Sequence, residues 1–129
     1  MQHNKDLSSY RLEKSKESLA CAKSSCAAGF FADAARNSYF SVFYAMRSVL
    51  ALESVDFKKH SAVISYFREH FIKTGKLVKN LSDIIGELFT IRIKSDYEDF
   101  YTVSKAEVKK QIENAEYFIT ETEKYLEKL

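Results

Sequence analysis

Apolar side chains recur along this chain with the 3.6-residue period of α-helices, in five segments joined by short polar links. The most apolar segment, about 31–53, carries them on nearly all of its sides, which predicts a helix at the centre of a bundle. The first segment, about 6–28, has only a thin apolar stripe: Tyr10, Leu19, Ala20 and Ala27. We therefore expect the first helix to lie on the outside.

Three more helices are predicted, at about 60–73, at about 80–99, and from Ser104 to the end of the chain. Ser104 with Glu107 three residues later has the pattern of a capping box, in which the two side chains bind backbone N–H groups at a helix start. Gly29 supplies the break after the first helix. Together these elements predict an all-α protein, an up-and-down bundle of about five helices.

The composition favours the same fold class. The 129 residues contain no Pro and only three Gly, whereas a chain with many tight turns draws on both. Apolar residues make up 46% of the chain, enough for a core, and we predict a single domain over residues 1–129. Cys21 and Cys26 lie five residues apart, on different helix faces and without histidines beside them, so we expect free thiols, no metal and no cofactor.

Charge and hydropathy bear on where the protein is located and which ligands it binds. The sequence has neither an apolar leader nor a run of 18 apolar residues, so we expect a cytoplasmic protein that does not insert into membranes. A net charge of +2 is too small to indicate nucleic acid as a partner. Residues 58–79 nevertheless hold six Lys or Arg against one acid. A basic patch and an ordinary solvated helix end explain that stretch about equally well.

Candidate chemistry concentrates in the run Arg92-Ile93-Lys94-Ser95-Asp96-Tyr97, near the end of the fourth helix. At about 100° per residue, Arg92 falls on the apolar stripe of that helix, and Asp96 follows on the same side at i+4. A guanidinium on a core-facing stripe needs a partner, because an unpaired buried charge is very costly. Asp96 is the natural partner. The pair either only holds the helix in register or also forms a functional site.

Three segments of the chain together resemble the HEPN family, in particular its small stand-alone prokaryotic branch. The first segment is 34–46 in the second helix, which contains Ala-Ala-Arg-Asn-Ser-Tyr-Phe. The second is 60–64 followed by 71–75, and the third is the run 92–97. Each segment alone is weak, but the three in order and at this spacing make a fairly specific resemblance, which covers roughly residues 6–125.

The resemblance implies a helical bundle that often forms homodimers, and many members of the family are ribonucleases. Many also act beside a minimal nucleotidyltransferase as a toxin–antitoxin pair. We therefore expect a homodimer, a small nucleotidyltransferase as the partner protein, and RNA or a nucleotide as the ligand. The residues expected to bind that ligand are Arg36, Arg92, Asp96 and Tyr97, with Lys59 and His60 as further candidate phosphate contacts.

Two arginines interrupt the apolar second helix. Arg36 and Arg47 are eleven residues apart and therefore lie on nearly the same face. Either they bridge to acids on neighbouring helices, or they line one groove with Arg92. The family resemblance includes Arg36, which favours the groove for that residue.

The sequence departs from the nuclease members of the family. Those members carry Arg followed four to six residues later by His, where His acts as general acid or base on the 2′-OH and Arg neutralises the scissile phosphate. Here Tyr97, Glu98 and Asp99 stand five, six and seven residues after Arg92. We therefore favour a recognition site. Two alternatives stay open: a metal-independent ribonuclease that uses Arg92 with Asp96 and Tyr97 or with a histidine from elsewhere, and a purely structural dimeric bundle.

The histidines offer little by position alone. His60 falls at the predicted start of the third helix, where we expect it to cap the helix or face solvent. His70 stands two residues after Arg68, so these two side chains point to opposite sides of a helix. In some relatives the partner nucleotidyltransferase modifies a tyrosine near the site, for which Tyr97 and Tyr101 are the candidates here.

Overall fold

Five α-helices make up most of residues 2–129, the part of the chain that the computed structural model describes. They are α1 (Gln2–Ala27), α2 (Phe31–Ala51), α3 (His60–Phe67), α4 (Leu81–Tyr97) and α5 (Lys105–Glu127). Within those described residues there is no β-strand. The predicted all-α class and the five predicted helices are confirmed.

Helix α2 lies at the centre and contacts each of the other four helices. Its sequence is apolar on nearly all sides, and Tyr39, Met46 and Leu50 are among its fully buried side chains. Large side chains from the surrounding elements close around it: Phe67, Phe71, Leu81, Ile85, Leu88 and Phe118. Each such side chain contributes roughly 1.5–3 kcal/mol when it leaves water. The predicted central position of this helix is confirmed.

The prediction that Tyr10, Leu19, Ala20 and Ala27 form the apolar face of α1 is wrong. Of these four residues only Leu19 is buried, and Tyr10, Ala20 and Ala27 are exposed. The face that packs on α2 consists mainly of small and polar side chains: Ser8, Arg11, Ser15, Leu19, Ala22 and Cys26. Small residues allow the two helix backbones to approach closely, and the buried Ser15 Oγ then donates to the Ser41 carbonyl at 2.5 Å. The helix also begins at Gln2, four residues before the predicted start.

The predicted third helix is continuous but changes its geometry part-way. After α3 the chain makes a π-helical turn over Arg68–Ile72, and it ends near Gly75, which has a φ of 80°. Arg68 connects this turn to the start of α4 by two hydrogen bonds. Its Nε donates to the Ser82 Oγ at 3.0 Å, and its Nη2 donates to the Ser82 carbonyl at 2.9 Å. π-Helical turns often occur at functional sites, but this one holds two helices together.

The end of α4 is held against α2 by the connection to α5. Helix α4 ends at Tyr97, two residues before the predicted end, and the predicted capping box of Ser104 and Glu107 begins α5. Between them, Val103 joins Val108 in a small apolar cluster with side chains at the junction of α1 and α2. This cluster fixes the position of the C-terminal part of α4, where Arg92 lies.

No helix within residues 2–129 is both long enough and apolar enough to cross a membrane. Cys21 is exposed and Cys26 is buried, and both are free thiols. Across the same residues, no three His, Cys, Asp or Glu side chains come together where they could hold a metal ion.

The two glycines near Arg68 should respond to alanine in opposite directions. Gly86 lies inside α4, and a Cβ there would meet Arg68 Nη2 at an ordinary 3.5 Å, so Gly86→Ala should raise the free energy of unfolding by about 1 kcal/mol. Gly75→Ala should lower it by about 1 kcal/mol, because a φ of 80° strains any residue with a Cβ. Urea unfolding followed by circular dichroism measures both. A loss of stability in Gly86→Ala would mean that the new methyl group displaces Arg68 from Ser82.

Candidate functional site

Arg92 lies across two aromatic rings of α2. Its guanidinium carbon is 5.3 Å from the ring centroid of Tyr39 and also 5.3 Å from that of Phe40. Only 17% of the Arg92 side chain is exposed. A cation above a ring face gains about 0.5–2 kcal/mol, with the larger values where water is excluded. The two rings thus hold the guanidinium in one place at the surface of the bundle.

The predicted pair of Arg92 and Asp96 is present, but it is looser than a hydrogen-bonded salt bridge. Asp96 Oδ2 lies 3.2 Å from Arg92 Nε, and the Asp96 side chain is 21% exposed. The buried Nε–H does not point at that oxygen, so it makes no hydrogen bond, and the buried Ser95 Oγ has no partner either. Buried donors are normally satisfied. Arg92 therefore offers donors that no other residue among 2–129 takes up.

His60 brings a third element into the site. Its ring stacks on Phe43 with the centroids 4.0 Å apart, and its Nδ1 lies 2.8 Å from the Tyr39 hydroxyl. The expectation that His60 caps α3 or faces solvent is wrong. Lys59 is the residue at the cap position, and the aromatic cluster on α2 draws the half-buried imidazole inwards instead. Tyr39 thereby contacts both Arg92 and His60.

The environment sets the protonation states of this pair. Burial raises the pKa of Tyr39 to about 12 against the opposing effect of the Arg92 charge, so the phenol keeps its proton at neutral pH. Burial lowers the pKa of His60, and the positive charges of Arg92 and Arg47 lower it further. His60 is therefore mainly neutral at pH 7. In the tautomer that carries the proton on Nε2, its Nδ1 accepts the Tyr39 hydroxyl proton.

Next to His60, two arginines share one carboxylate. Asp56 Oδ2 accepts from Arg11 Nη2 at 2.9 Å and from Arg47 Nη2 at 2.8 Å, while Oδ1 accepts from the Phe57 backbone N–H at 2.9 Å. Burial raises the pKa of Asp56, but the hydrogen bonds from Arg47 and Phe57 and the charges of both arginines outweigh burial and lower it. The three side chains carry one net positive charge beside the His60 ring.

A comparison with known proteins identifies the family. The model of the HEPN domain family matches residues 8–125. The chain belongs to the HEPN family. "Putative toxin MJ0142" of Methanocaldococcus jannaschii is 30% identical over 89% of this chain and 78% of its own, and "Putative toxin MJ0605" of the same organism is 29% identical over 92% and 87%. A "UPF0332 protein" of Thermotoga maritima is 34% identical over 70% of this chain and 69% of its own.

In this HEPN chain the three segments that carried the resemblance meet at one point. Tyr39 comes from the segment in α2, His60 from the start of α3, and Arg92 with Asp96 from the end of α4. They lie far apart in the sequence, and the Tyr39 ring connects them. The candidate site of this HEPN domain is therefore an arginine and a histidine joined through a tyrosine.

The other predicted site residues lie at the edge of the HEPN site or outside it. Arg36 pairs with Asp33 on its own helix, one turn before Phe40, and 40% of its side chain is exposed. Tyr97 is 72% exposed. Lys59 is exposed at the start of α3. The roles predicted for these three residues stay predictions.

Sequence reasoning missed two parts of this HEPN site. Tyr39 and Phe43 looked like ordinary core residues because they share the apolar pattern of α2, although their spacing of four places them on one face with Arg47. Asp56 stands in a polar link and gave no sign that it receives two arginines. Only the fold brings the link beside α2.

The electrostatic coupling across the site can be measured. Because Arg92 adds a positive charge near His60, Arg92→Met should raise the pKa of His60 towards its usual 6.5 without removing the effect of burial. A pH titration followed by NMR of the imidazole carbons measures this pKa. Arg36→Met is the control and should leave it unchanged. An unchanged pKa in Arg92→Met would mean that the two groups do not interact.

The same shift makes stability depend on pH. A histidine whose pKa is lowered by folding is protonated first in the unfolded chain, so stability should fall as the pH drops below about 6.5. In Arg92→Met this fall should be smaller, because the pKa values of His60 in the folded and unfolded states are closer. Urea unfolding at pH 7.5 and pH 5.5 tests both statements, and an equal loss in the two proteins would contradict them.

Proposed function

We propose that this HEPN protein is the toxin-type member of a two-protein pair and that it binds RNA at the site of Arg92, His60 and Tyr39. The observation that carries the proposal is the Arg92 guanidinium, which is held over two rings and is only loosely paired with Asp96 through its buried Nε, so that its Nη edge is left for a ligand. The relatives named "Putative toxin" support the toxin-type role.

The chemistry of Arg92 favours a phosphate group as its ligand. A guanidinium presents parallel N–H donors that match phosphate oxygens, and it carries its charge at every physiological pH. Asp96 lies beside Nε, so it occupies one edge of the fork and leaves the Nη edge. The rings of Tyr39 and Phe40 have already immobilised the side chain, which lowers the entropy that ligand binding costs.

RNA cleavage at this site is the second candidate, and the position of His60 favours it. When the neutral His60 carries its proton on Nδ1 and donates it to the Tyr39 hydroxyl oxygen, its Nε2 can take a proton from a 2′-OH, and Arg92 can stabilise the charge that develops on the phosphate. This arrangement needs no metal. His60 lies on α3 and would supply the histidine that is absent after Arg92 on α4. This corresponds to the alternative in which a ribonuclease uses Arg92 with a histidine from another part of the chain.

A homodimer and a minimal nucleotidyltransferase complete the proposal. The exposed Tyr97, with three acids beside it, is more accessible to a modifying partner than the half-buried Tyr101. Co-expression with the neighbouring reading frame, followed by affinity purification and mass spectrometry, tests the pair. Recovery of this chain alone and unmodified would contradict it.

RNA binding should depend on Arg92. Arg92→Ala should weaken the binding of a fluorescein-labelled RNA by roughly 10- to 100-fold, because charge-assisted hydrogen bonds are worth about 1.5–3 kcal/mol each. Fluorescence anisotropy at fixed salt measures the affinity, and Lys109→Ala, which removes one positive charge from an exposed position of α5, is the control. If Arg92→Ala lowers the melting temperature but binds RNA like the wild type, the pair of Arg92 and Asp96 is purely structural.

Cleavage is tested with the same proteins. If the site cuts RNA, the wild type should shorten an end-labelled RNA in the presence of EDTA, and His60→Gln should reduce the rate by roughly 100-fold or more. His70→Gln controls for the removal of a histidine. An intact RNA with the wild-type protein would exclude cleavage and leave the binding proposal standing.

A further inference from the structure

A cleft of about 370 Å³ opens beside the Arg92 site, between α2 and the link that leads to α3. Its volume lies within the range of small-molecule sites, roughly 300–1,000 Å³. The residues that line it are Phe43, Arg47, Asp56, Phe57, Lys58 and His60. His60 belongs to both places, since it lines this cleft and also binds Tyr39, which lies under Arg92.

The polar groups that remain free in the cleft are donors. Asp56 is the only acid among the lining residues, and both of its oxygens already accept hydrogen bonds from Arg11, Arg47 and Phe57. Lys58 makes no hydrogen bond or ion pair with any residue from 2 to 129. The charges of Arg11, Arg47, Asp56 and Lys58 sum to +2. This surface suits an anion and repels a cation.

The remaining walls are aromatic. His60 stacks on Phe43 and also lines the cleft. Phe57, on the link, also lines the cleft and is 38% exposed. Its ring centroid lies 5.6 Å from that of Tyr66, which in turn stacks on His70. Flat rings beside free cationic groups suit a ligand that combines a planar ring with a negative charge.

We propose that this cleft binds one nucleotide of a single-stranded RNA, with its base between Phe57 and His60 and its phosphate at Lys58 and Arg47. The inference rests on the proposed function, since the neighbouring phosphate of the same strand lies on Arg92. Bases in a duplex stack on both sides and cannot enter such a cleft, whereas an unpaired base can stack on aromatic side chains. The substrate class is therefore single-stranded RNA.

Phe57 and Lys58 are suitable for the test because neither belongs to the Arg92 site or to the buried core. An eight-nucleotide RNA with a single 2-aminopurine, moved along the strand, reports stacking by loss of fluorescence. Phe57→Ala should weaken its binding about tenfold and restore the fluorescence at the one position that the wild type quenches most. Tyr117→Ala is the matched control, an aromatic residue that is also 38% exposed.

Lys58 is tested by the salt dependence of the affinity. Lys58→Ala should reduce the slope of log affinity against log salt by about 0.7, the value for one phosphate of a single strand. Lys109→Ala, which removes an exposed lysine on α5, is the control and should leave the slope unchanged. The same sequence as a blunt duplex should bind wild type and Phe57→Ala equally.

The outcomes separate the two proposals. If Arg92→Ala loses RNA binding while Phe57→Ala and Tyr117→Ala both bind like the wild type, the cleft proposal is overturned and the proposed function stands. If Phe57→Ala weakens binding while Arg92→Ala does not, the cleft proposal stands and the role of Arg92 is overturned. A wild-type protein without affinity for the RNA overturns both. Equal effects of Phe57→Ala on single strand and duplex overturn the single-stranded substrate class.

Discussion

The structure depends on the need to remove every side of α2 from water. A helix that is apolar almost all round has no face to leave at the surface, so the other four helices must enclose it. Their relative positions follow from that single requirement. Phe40, Tyr44 and Arg47 are among the side chains of α2 that stay partly exposed. The candidate site lies in this part of the helix, where Arg92 and His60 pack against its aromatic rings.

Arg92 completes the surface over those rings. Its stem and guanidinium cover apolar carbon as a leucine would, but an arginine also carries a charge that the ring faces and Asp96 only partly compensate. A purely structural role would be served better by a hydrogen-bonded pair with every donor satisfied. The unsatisfied Nε–H and Ser95 hydroxyl are the reason to regard this place as more than a fastening of α4.

The sequence spacing predicted the features that depend only on the geometry of a single helix. The i+4 relation between Arg92 and Asp96 fixed their pairing, and the capping pattern at Ser104 fixed the start of α5. Contacts between distant segments could not be predicted, because the partners of His60 and Asp56 lie on α2 and, for Arg11, on α1. The period of the apolar residues does not say which neighbour a polar side chain meets. The face of α1 that packs on α2 could not be predicted for a different reason. Most of its buried side chains are small or polar, so they do not form an apolar stripe in the sequence.

The tyrosine that joins Arg92 to His60 has a consequence for the energetics of ligand binding. Burial is the main cause of the lowered pKa of His60, and the charge of Arg92 adds to it. An anion bound at Arg92 would cancel that second contribution, so the imidazole would gain affinity for a proton. Thermodynamic reciprocity requires the converse, that protonation of His60 strengthens anion binding. Binding is then accompanied by fractional proton uptake, and the measured heat of binding will vary with the ionisation enthalpy of the buffer.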